Sequence, residues 1–374
     1  MKKLKIATIV GTRPEIIRLS SLIKELEIHS KHTLIHTGQN YDYELSDIFF
    51  DDLGLKSPDF YLNALQKSAV ETTGEIIKLS YKILKKIKPD AVVVLGDTNS
   101  CLSLYSAKRL KIPTFHLEAG NRCFDQRVPE EINRKIVDHI ADVNLTYSQI
   151  SREYLLKENF NPFSVIKVGS PMFEVLDDNI EKIQNSKILE KLNLKERKFF
   201  LVSCHREENI DSENFFKFIS VLNDVATKYK LPVIVSTHPR TLKRIKKEKI
   251  KHSKNIILHK PFSFSDYNKL QLSSLCVLSD SGTITEESSI LKFNAINIRE
   301  AHERPEGMEE GTVIFTGMNN ERVIQSLDVL LKQSKYGFKP KMVSDYKAPK
   351  VSSKVTRIIL SYIDYVNNQI WKKT

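Results

Sequence analysis

Short apolar, β-branched runs recur along the chain with amphipathic stretches between them. In the first half they are Lys5 to Val10, Thr33 to Thr37, Ala91 to Leu95, Thr114 to Leu117, Val143 to Tyr147 and Val165 to Val168. Between two of them, Glu71 to Lys86 places Ile76, Ile77, Leu79, Ile83 and Leu84 at spacings near three and four, and Pro89 closes it, which predicts a helix. Strands alternating with helices predict parallel βαβ units. The alternation restarts after Lys198, with strands expected at Phe199 to Ser203, Val233 to Thr237, Asn255 to His259, Leu275 to Ser279 and Ala295 to Ile298. The charged stretch Ile180 to Lys198 between the two series is expected to be helix, and Val355 to Trp371 resumes a helical pattern at the end.

The pattern predicts an α/β protein with two Rossmann-like doubly wound domains. The expected division is residues 1–170 and 171–352, with a hinge near Gly169-Ser170-Pro171 and the helix 353–374 returning to the first domain. A length of 374 residues agrees with two cores, since single cores stop growing near ~250 to 300 residues. The opening apolar run ends at Val10, and no segment approaches the roughly 18 uncharged residues of a membrane span. A cytoplasmic protein without a membrane partner is expected. The four cysteines are scattered with no CxxC pair, which predicts structural thiols and no metal site. A net charge of +12 permits an anionic partner without choosing one. The basic run 243–251 lacks interleaved aromatics for base stacking and reads as a solvated helix face, so no nucleic-acid partner is expected.

In open α/β sheets ligands bind beyond the carboxyl ends of the strands, and those positions are polar here. They read Gly11-Thr12-Arg13-Pro14-Glu15, Gly96-Asp97-Thr98, Glu118-Ala119-Gly120-Asn121-Arg122, Cys204-His205-Arg206-Glu207, His238-Pro239-Arg240 and Asp280-Ser281-Gly282-Thr283. Two such rows facing one another would line a cleft with Asp, Glu, His and Arg. Gly11-Thr12-Arg13 is not GxGxxG, and no Walker motif occurs, so nicotinamide and P-loop chemistry are disfavoured. The turn at Asp280-Ser281-Gly282-Thr283 opens a helix whose free N–H groups could hold a diphosphate, with Glu287 in reach of a ribose hydroxyl; a plain helix cap by Ser281 is the competing reading. Pro129-Glu130-Glu131 likewise begins a helix, with carboxylates beside its dipole, and a structural role is the stronger reading for Glu131. Glu130 with Asp97 and Glu118 gives three carboxylates near one strand edge, and His205 is the best single acid/base candidate.

Taken in order, Gly-Thr-Arg-Pro-Glu at 11–15, Gly-Asp-Thr at 96–98, His-Leu-Glu-Ala-Gly at 116–120, Pro-Glu-Glu-Ile-Asn-Arg at 129–134, Cys-His-Arg-Glu at 204–207, Asp-Ser-Gly at 280–282 and Glu-Arg-Pro-Glu at 303–306 resemble the non-hydrolysing UDP-N-acetylglucosamine 2-epimerases. The resemblance covers residues 4 to about 332. It implies a glycosyltransferase-B-like architecture and a UDP-sugar substrate, with no cofactor and no metal, and a homodimer is expected. It implies Asp97, Glu118, Glu130 and His205 as catalytic groups, with Arg13 at the reacting sugar. Arg122, Asn133 and Arg134 are implied as further substrate contacts, His238, Ser281, Gly282, Glu287 and Arg304 as UDP contacts, and Tyr267 lies by position against the uracil. Asn121 and the short stretch before Pro129 resemble the capsule and O-antigen branch that converts UDP-2-acetamido-2,6-dideoxy-L-talose to UDP-N-acetyl-L-fucosamine, and Gly38-Gln39-Asn40-Tyr41-Asp42 is a second departure from the N-acetylglucosamine enzymes. That reaction is the leading expectation. UDP-N-acetylglucosamine epimerisation to UDP-N-acetylmannosamine is the alternative, and a glycosyltransferase of the same fold is a further one.

Overall fold

A computed structural model describes residues 3–39, 43–204, 214–237, 239–248 and 250–373. The chain divides into two units, 1–178 with 344–374, and 179–343. In the first, β1 (Lys5–Val10), β2 (Lys31–His36), β3 (Phe60–Tyr61), β4 (Ala91–Leu95), β5 (Thr114–Leu117), β6 (Val143–Thr146) and β7 (Val165–Lys167) form one parallel sheet in the order β3-β2-β1-β4-β5-β6-β7. In the second, β8 (Phe200–Cys204), β9 (Val233–Thr237), β10 (Ile256–His259), β11 (Cys276–Ser279), β12 (Ala295–Asn297) and β13 (Ile314–Phe315) pair in parallel as β10-β9-β8-β11-β12-β13. Both are Rossmann-like doubly wound sheets. Strands such as β4, buried along its whole length, are near-continuous apolar runs because helices cover both faces of a parallel sheet.

Each sheet reverses its direction of growth once. The chain moves outward from β1 to β3 and then returns to β4; in the second unit it moves from β8 to β10 and returns to β11. Crevices form at such reversals beyond the carboxyl ends of the central strands. The loops set there are Gly11-Thr12 and Gly96-Asp97 in the first unit, and Cys204 and Asp280-Ser281 in the second.

The unit boundary falls after Asp178, beyond the expected hinge at Gly169. The cause is the returning C-terminal segment. A Cβ on Gly169 would stand 2.4 Å from the Ala348 Cβ, so the two backbones are in close contact. On the helix Met172–Asp178, Glu174 accepts from the Ser352 amide at 2.9 Å and the Ser352 hydroxyl at 2.6 Å. The helix Val351–Tyr365 packs against the helix Arg13–His29, where Ser353 donates to Glu25 at 2.8 Å. Two further details differ from the sequence expectation. The stretch 180–198 breaks into two short helices, Ile180–Asn185 and Ile188–Lys191, and two-residue edge strands, β3 and β13, complete the sheets. Among the described residues, no helix is long and apolar enough to cross a membrane.

Gly120, at φ +79°, follows β5 where the chain must clear the helix Gln149–Lys157, and a Cβ there would lie 2.3 Å from the Ser151 carbonyl oxygen. Gly120→Ala is expected to lower the thermal midpoint by several degrees; an unchanged midpoint would show that the loop can move aside. Acid should also weaken the fold. His32, bonded to the Thr8 hydroxyl at 2.9 Å, and His36, whose Nδ1 accepts from the Gly38 amide at 3.1 Å, are buried, and burial holds each at about 4 against an ordinary 6.5. Between those values the unfolded chain binds protons that the folded chain refuses, so stability falls as pH drops through this window, by at most roughly 1.4 kcal/mol per pH unit for each ring. Urea unfolding at pH 7 and pH 5 should show the loss, and His36→Gln should reduce it.

Candidate active site

The loops after β4 and β5 emerge side by side because these strands are neighbours. Asp97 and Glu118 sit on them, and each carboxylate meets an arginine from a helix. Glu118 pairs with Arg18, one turn into the helix Arg13–His29; both side chains are buried, and the Arg18 guanidinium lies 5.9 Å from the Tyr147 ring centre. The Asn121 amide adds a donor to Glu118 at 3.2 Å and itself accepts from the Ser151 hydroxyl at 2.9 Å. Glu118 adopts φ +65°, an uncommon conformation for a side-chain-bearing residue, held by these contacts.

The helix Pro129–Ile140 supplies the second arginine. Arg134 donates to Asp97 through its terminal nitrogen at 2.5 Å and Nε at 3.1 Å, while its other terminal nitrogen reaches Glu131 at 2.9 Å. Asn133 donates to the Asp97 carbonyl oxygen at 3.0 Å. Asp97 thus has its backbone and side chain gripped from one helix turn. Glu131 has the structural role expected of it: it is fully buried and accepts from the Cys123 and Phe124 amides at 3.1 and 3.2 Å. Glu130, its neighbour, is half-buried at the helix start.

Glu15 joins the loop after β1 to the loop after β4. It accepts from the Gly11 and Thr12 amides at 2.8 and 2.7 Å, from the Thr98 hydroxyl at 3.0 Å, and from Ser100. Burial pushes its carboxyl above the usual range, while the donors pull it back. Arg13 stands at the first turn of the same helix, half-buried beside the Phe49 ring.

Arg122 is placed differently from the sequence expectation of a substrate contact. Its guanidinium grips Glu158 with two bonds of 2.8 and 2.7 Å and Asp138 with a third of 2.7 Å, and it is buried. Its donors are engaged inside the unit. Arg18, Glu15 and Asp138 were the residues that sequence reasoning missed. Glu15 and Arg18 stand at helical spacing beside Ile16, Leu19 and Ile23 on an otherwise apolar stripe, which marks them as buried charges without naming their partners.

In the second unit the helix Thr283–Leu291 starts beyond β11. The Ser281 hydroxyl accepts from the Thr283 amide at 3.3 Å, as a capping side chain does, and Gly282 is the N-cap residue. Further along that helix Glu287 accepts from the Gln271 amide at 2.6 Å, and Glu286 is ion-paired with buried Arg304 at 2.9 Å. The Tyr267 hydroxyl donates to Ser203 at 2.8 Å, so its ring has a fixed orientation near the ends of β8 and β11. His205 and His238 lie outside the described residues, as do Asn40, Tyr41 and Asp42.

Residues 24–360 match the family model for UDP-N-acetylglucosamine 2-epimerase. The chain belongs to that family. A UDP-N-acetylglucosamine 2-epimerase of Methanocaldococcus jannaschii is 35% identical over 342 residues, covering 89% of this chain and 93% of the relative. Among solved structures, UDP-N-acetylglucosamine 2-epimerase from Rickettsia bellii is 49% identical with a TM-score of 0.92, covering 99% of this chain and all of that one. The M. jannaschii UDP-GlcNAc 2-epimerase in complex with UDP-GlcNAc and UDP is 33% identical with a TM-score of 0.88, covering 96% of this chain and all of that one. This epimerase-family chain is therefore an isomerase acting on a UDP-2-acetamido sugar.

The Arg18–Glu118 pair makes one clear prediction. Arg18→Met strands a buried carboxylate, and breaking such a pair costs roughly 3 to 5 kcal/mol. Arg18→Met/Glu118→Gln should recover most of that stability while remaining inactive. Urea unfolding and turnover measured together distinguish the two effects, and a double variant no more stable than the single one would count against the pair.

Proposed function

We propose that this protein interconverts UDP-N-acetylglucosamine and UDP-N-acetylmannosamine, inverting C2 by elimination and re-addition of UDP. The observation that carries the reading is the adjacent pair of carboxylates, Asp97 and Glu118, each oriented by its own arginine at the mouth of the first sheet. A proton on C2 is not adjacent to a carbonyl, so direct removal is prohibitive. Departure of UDP from C1 leaves positive charge there and acidifies C2, after which a carboxylate accepts the proton and a 2-acetamidoglycal forms. A second group returns a proton to the opposite face as UDP adds back. Two acid/base groups on separate elements suit this better than glycosyl transfer, which needs no proton removed from carbon.

In this reading Asp97, Glu118, Glu130 and His205 handle the C2 proton, with Asn133 and Arg134 holding Asp97 in place. Arg13 and the start of the helix Thr283–Leu291, with Ser281 and Gly282, stabilise the leaving diphosphate through positive charge and free amide donors. Glu287, Tyr267, His238 and Arg304 recognise the nucleoside part.

The choice of sugar follows the relatives, several of which bear the name UDP-N-acetylglucosamine 2-epimerase. The 6-deoxy-talose expectation came from Asn121 and the short stretch before Pro129, within which Phe124 and Val128 are the apolar side chains that a sugar methyl group would meet. Val128 is buried as the N-cap of the helix Pro129–Ile140, and Phe124 is 71% exposed with its ring edge-on to Tyr154 at 5.4 Å. Both have local structural explanations that require no sugar methyl group.

The test is incubation with UDP-N-acetylglucosamine and with UDP-2-acetamido-2,6-dideoxy-L-talose in deuterium oxide, with products read by NMR. Deuterium is expected at C2, with the higher kcat/KM on UDP-N-acetylglucosamine; the reverse preference would move the protein to the fucosamine branch. No exchange with any UDP-2-acetamido sugar would favour transfer instead. Asp97→Asn and Glu118→Gln should each lower turnover about a hundredfold, the scale of a lost acid/base group.

A further inference from the structure

The buried face of the helix Pro129–Ile140 carries Glu131, Arg134 and Asp138, spaced near one turn apart. Asp138 gathers the end of β5 and the loop that follows it. Its Oδ1 lies 2.9 Å from His116 Nδ1, its Oδ2 accepts from Arg122 at 2.7 Å, and the Gly120 amide donates to both oxygens at 3.2 and 3.3 Å. On its far side the His116 ring points Nε2 at the Gly96 carbonyl oxygen, 2.7 Å away. All of these side chains are buried.

The protonation of His116 follows from its neighbours. A carboxylate and a carbonyl oxygen both accept and neither donates. A neutral imidazole has one N–H and would turn a lone pair toward one of these oxygens, so the ring carries both protons. Burial opposes that charge, but the bonds to Asp138 and Gly96 and the nearby Glu118 outweigh it and hold the ring above its ordinary value. Asp138 is held below the usual carboxylate range despite burial, by His116 and Arg122. The cluster then balances, with cations His116 and Arg122 against anions Asp138 and Glu158, the last gripped by Arg122 at its outer edge.

We propose that the His116–Asp138–Arg122 chain is the positioning device of the C2 chemistry, setting Asp97, Glu118 and Glu130 in a fixed relation to one another. The inference rests on the reading of those carboxylates given above. Gly96, held by His116, directly precedes Asp97. His116 itself stands two positions before Glu118 on the same strand-to-loop passage, and Glu130 begins the helix that carries Asp138. The backbones of all three candidate carboxylates therefore converge on one buried anion, those of Asp97 and Glu118 through the His116 ring, which bonds to the Gly96 carbonyl and is ion-paired with Asp138, and that of Glu130 through the helix it shares with Asp138. Proton transfer needs its groups placed within about 0.5 Å, a tolerance that depends on such supporting bonds. Apart from Arg13, the candidate UDP contacts belong to the other unit, so the chain sets rate and leaves nucleotide affinity largely alone.

The test combines three measurements on the full chain. In 15N-labelled protein at pH 8, where a free imidazole is neutral, both His116 ring nitrogens are expected at imidazolium shifts; a neutral tautomer overturns the proposal. Asp138→Asn and His116→Gln should lower the kcat of C2 exchange about ten- to a hundredfold while the UDP dissociation constant, from calorimetry, stays within about twofold. The double variant should lose no more than the worse single one, because both break the same chain. Folded variants with unchanged kcat, or with UDP affinity falling in step with kcat, overturn it. Should Asp138→Asn not fold, His116→Gln and the ring-nitrogen shifts still decide. Failure of the underlying reading shows separately, as absent exchange in the wild-type protein.

Discussion

A carboxylate removed from water must meet a cation or several hydrogen-bond donors, or the fold cannot bear it. That requirement organises the first unit. Glu15, Glu118, Glu131, Asp97 and Asp138 all crowd toward the carboxyl ends of β1, β4 and β5, and each is met by different partners: amides and hydroxyls for Glu15, Arg18 for Glu118, Arg134 for Asp97 and Glu131, His116 and Arg122 for Asp138. The apolar core fixes the sheet, while these pairings fix the loops above it. Loops held by packing alone would sample several arrangements, whereas a buried charge accepts only the one that neutralises it.

How much of this the sequence disclosed depended on the range of the interaction. The long buried strands, β1, β4 and β9, were legible to the residue, because a parallel strand covered on both faces needs an unbroken apolar run. Edge strands β3 and β13 were not, since two residues leave no periodicity to read. Within 180–198 the charged composition without Gly or Pro suggested helix, yet Ser186 turns the chain: its hydroxyl accepts from the Ile188 amide at 3.2 Å and bonds to Asp266, a partner distant in sequence. The candidate site shows the same division. Asp97 and Glu118 could be proposed from position after a strand and Glu130 from its place at a helix start, and the doubt over Glu131 was resolvable from its place beside the same helix N-terminus. Arg18, His116 and Asp138 could not, because their roles lie in pairings across 100, 22 and 16 residues, visible only after folding. Arg122 drew attention as a motif residue, but the motif does not say whether an arginine faces a ligand or the interior.

The division of labour between units also has a chemical logic. In the proposed reading the ionised side chains of the first unit serve the C2 proton, and the helix start, hydroxyls and ordered aromatic ring of the second serve the nucleotide. A UDP-sugar has the same two halves, one to be bound and one to be transformed. Substrate range in such an arrangement is set by the loops of the first unit, and variation there can redirect the sugar without disturbing the nucleotide contacts.

The chain leaves the first unit after Asp178 and comes back at Ser344, so the second unit is a continuous stretch set inside a discontinuous one. During synthesis, the order of completion is therefore inverted. The second unit has its whole sequence available as it emerges and can fold at once, whereas the unit begun first must wait for its closing helix, with the Glu174–Ser352 and Glu25–Ser353 bonds made last. The carboxylate-bearing loops are made early, yet the body that supports them is finished only after the whole second unit has been made.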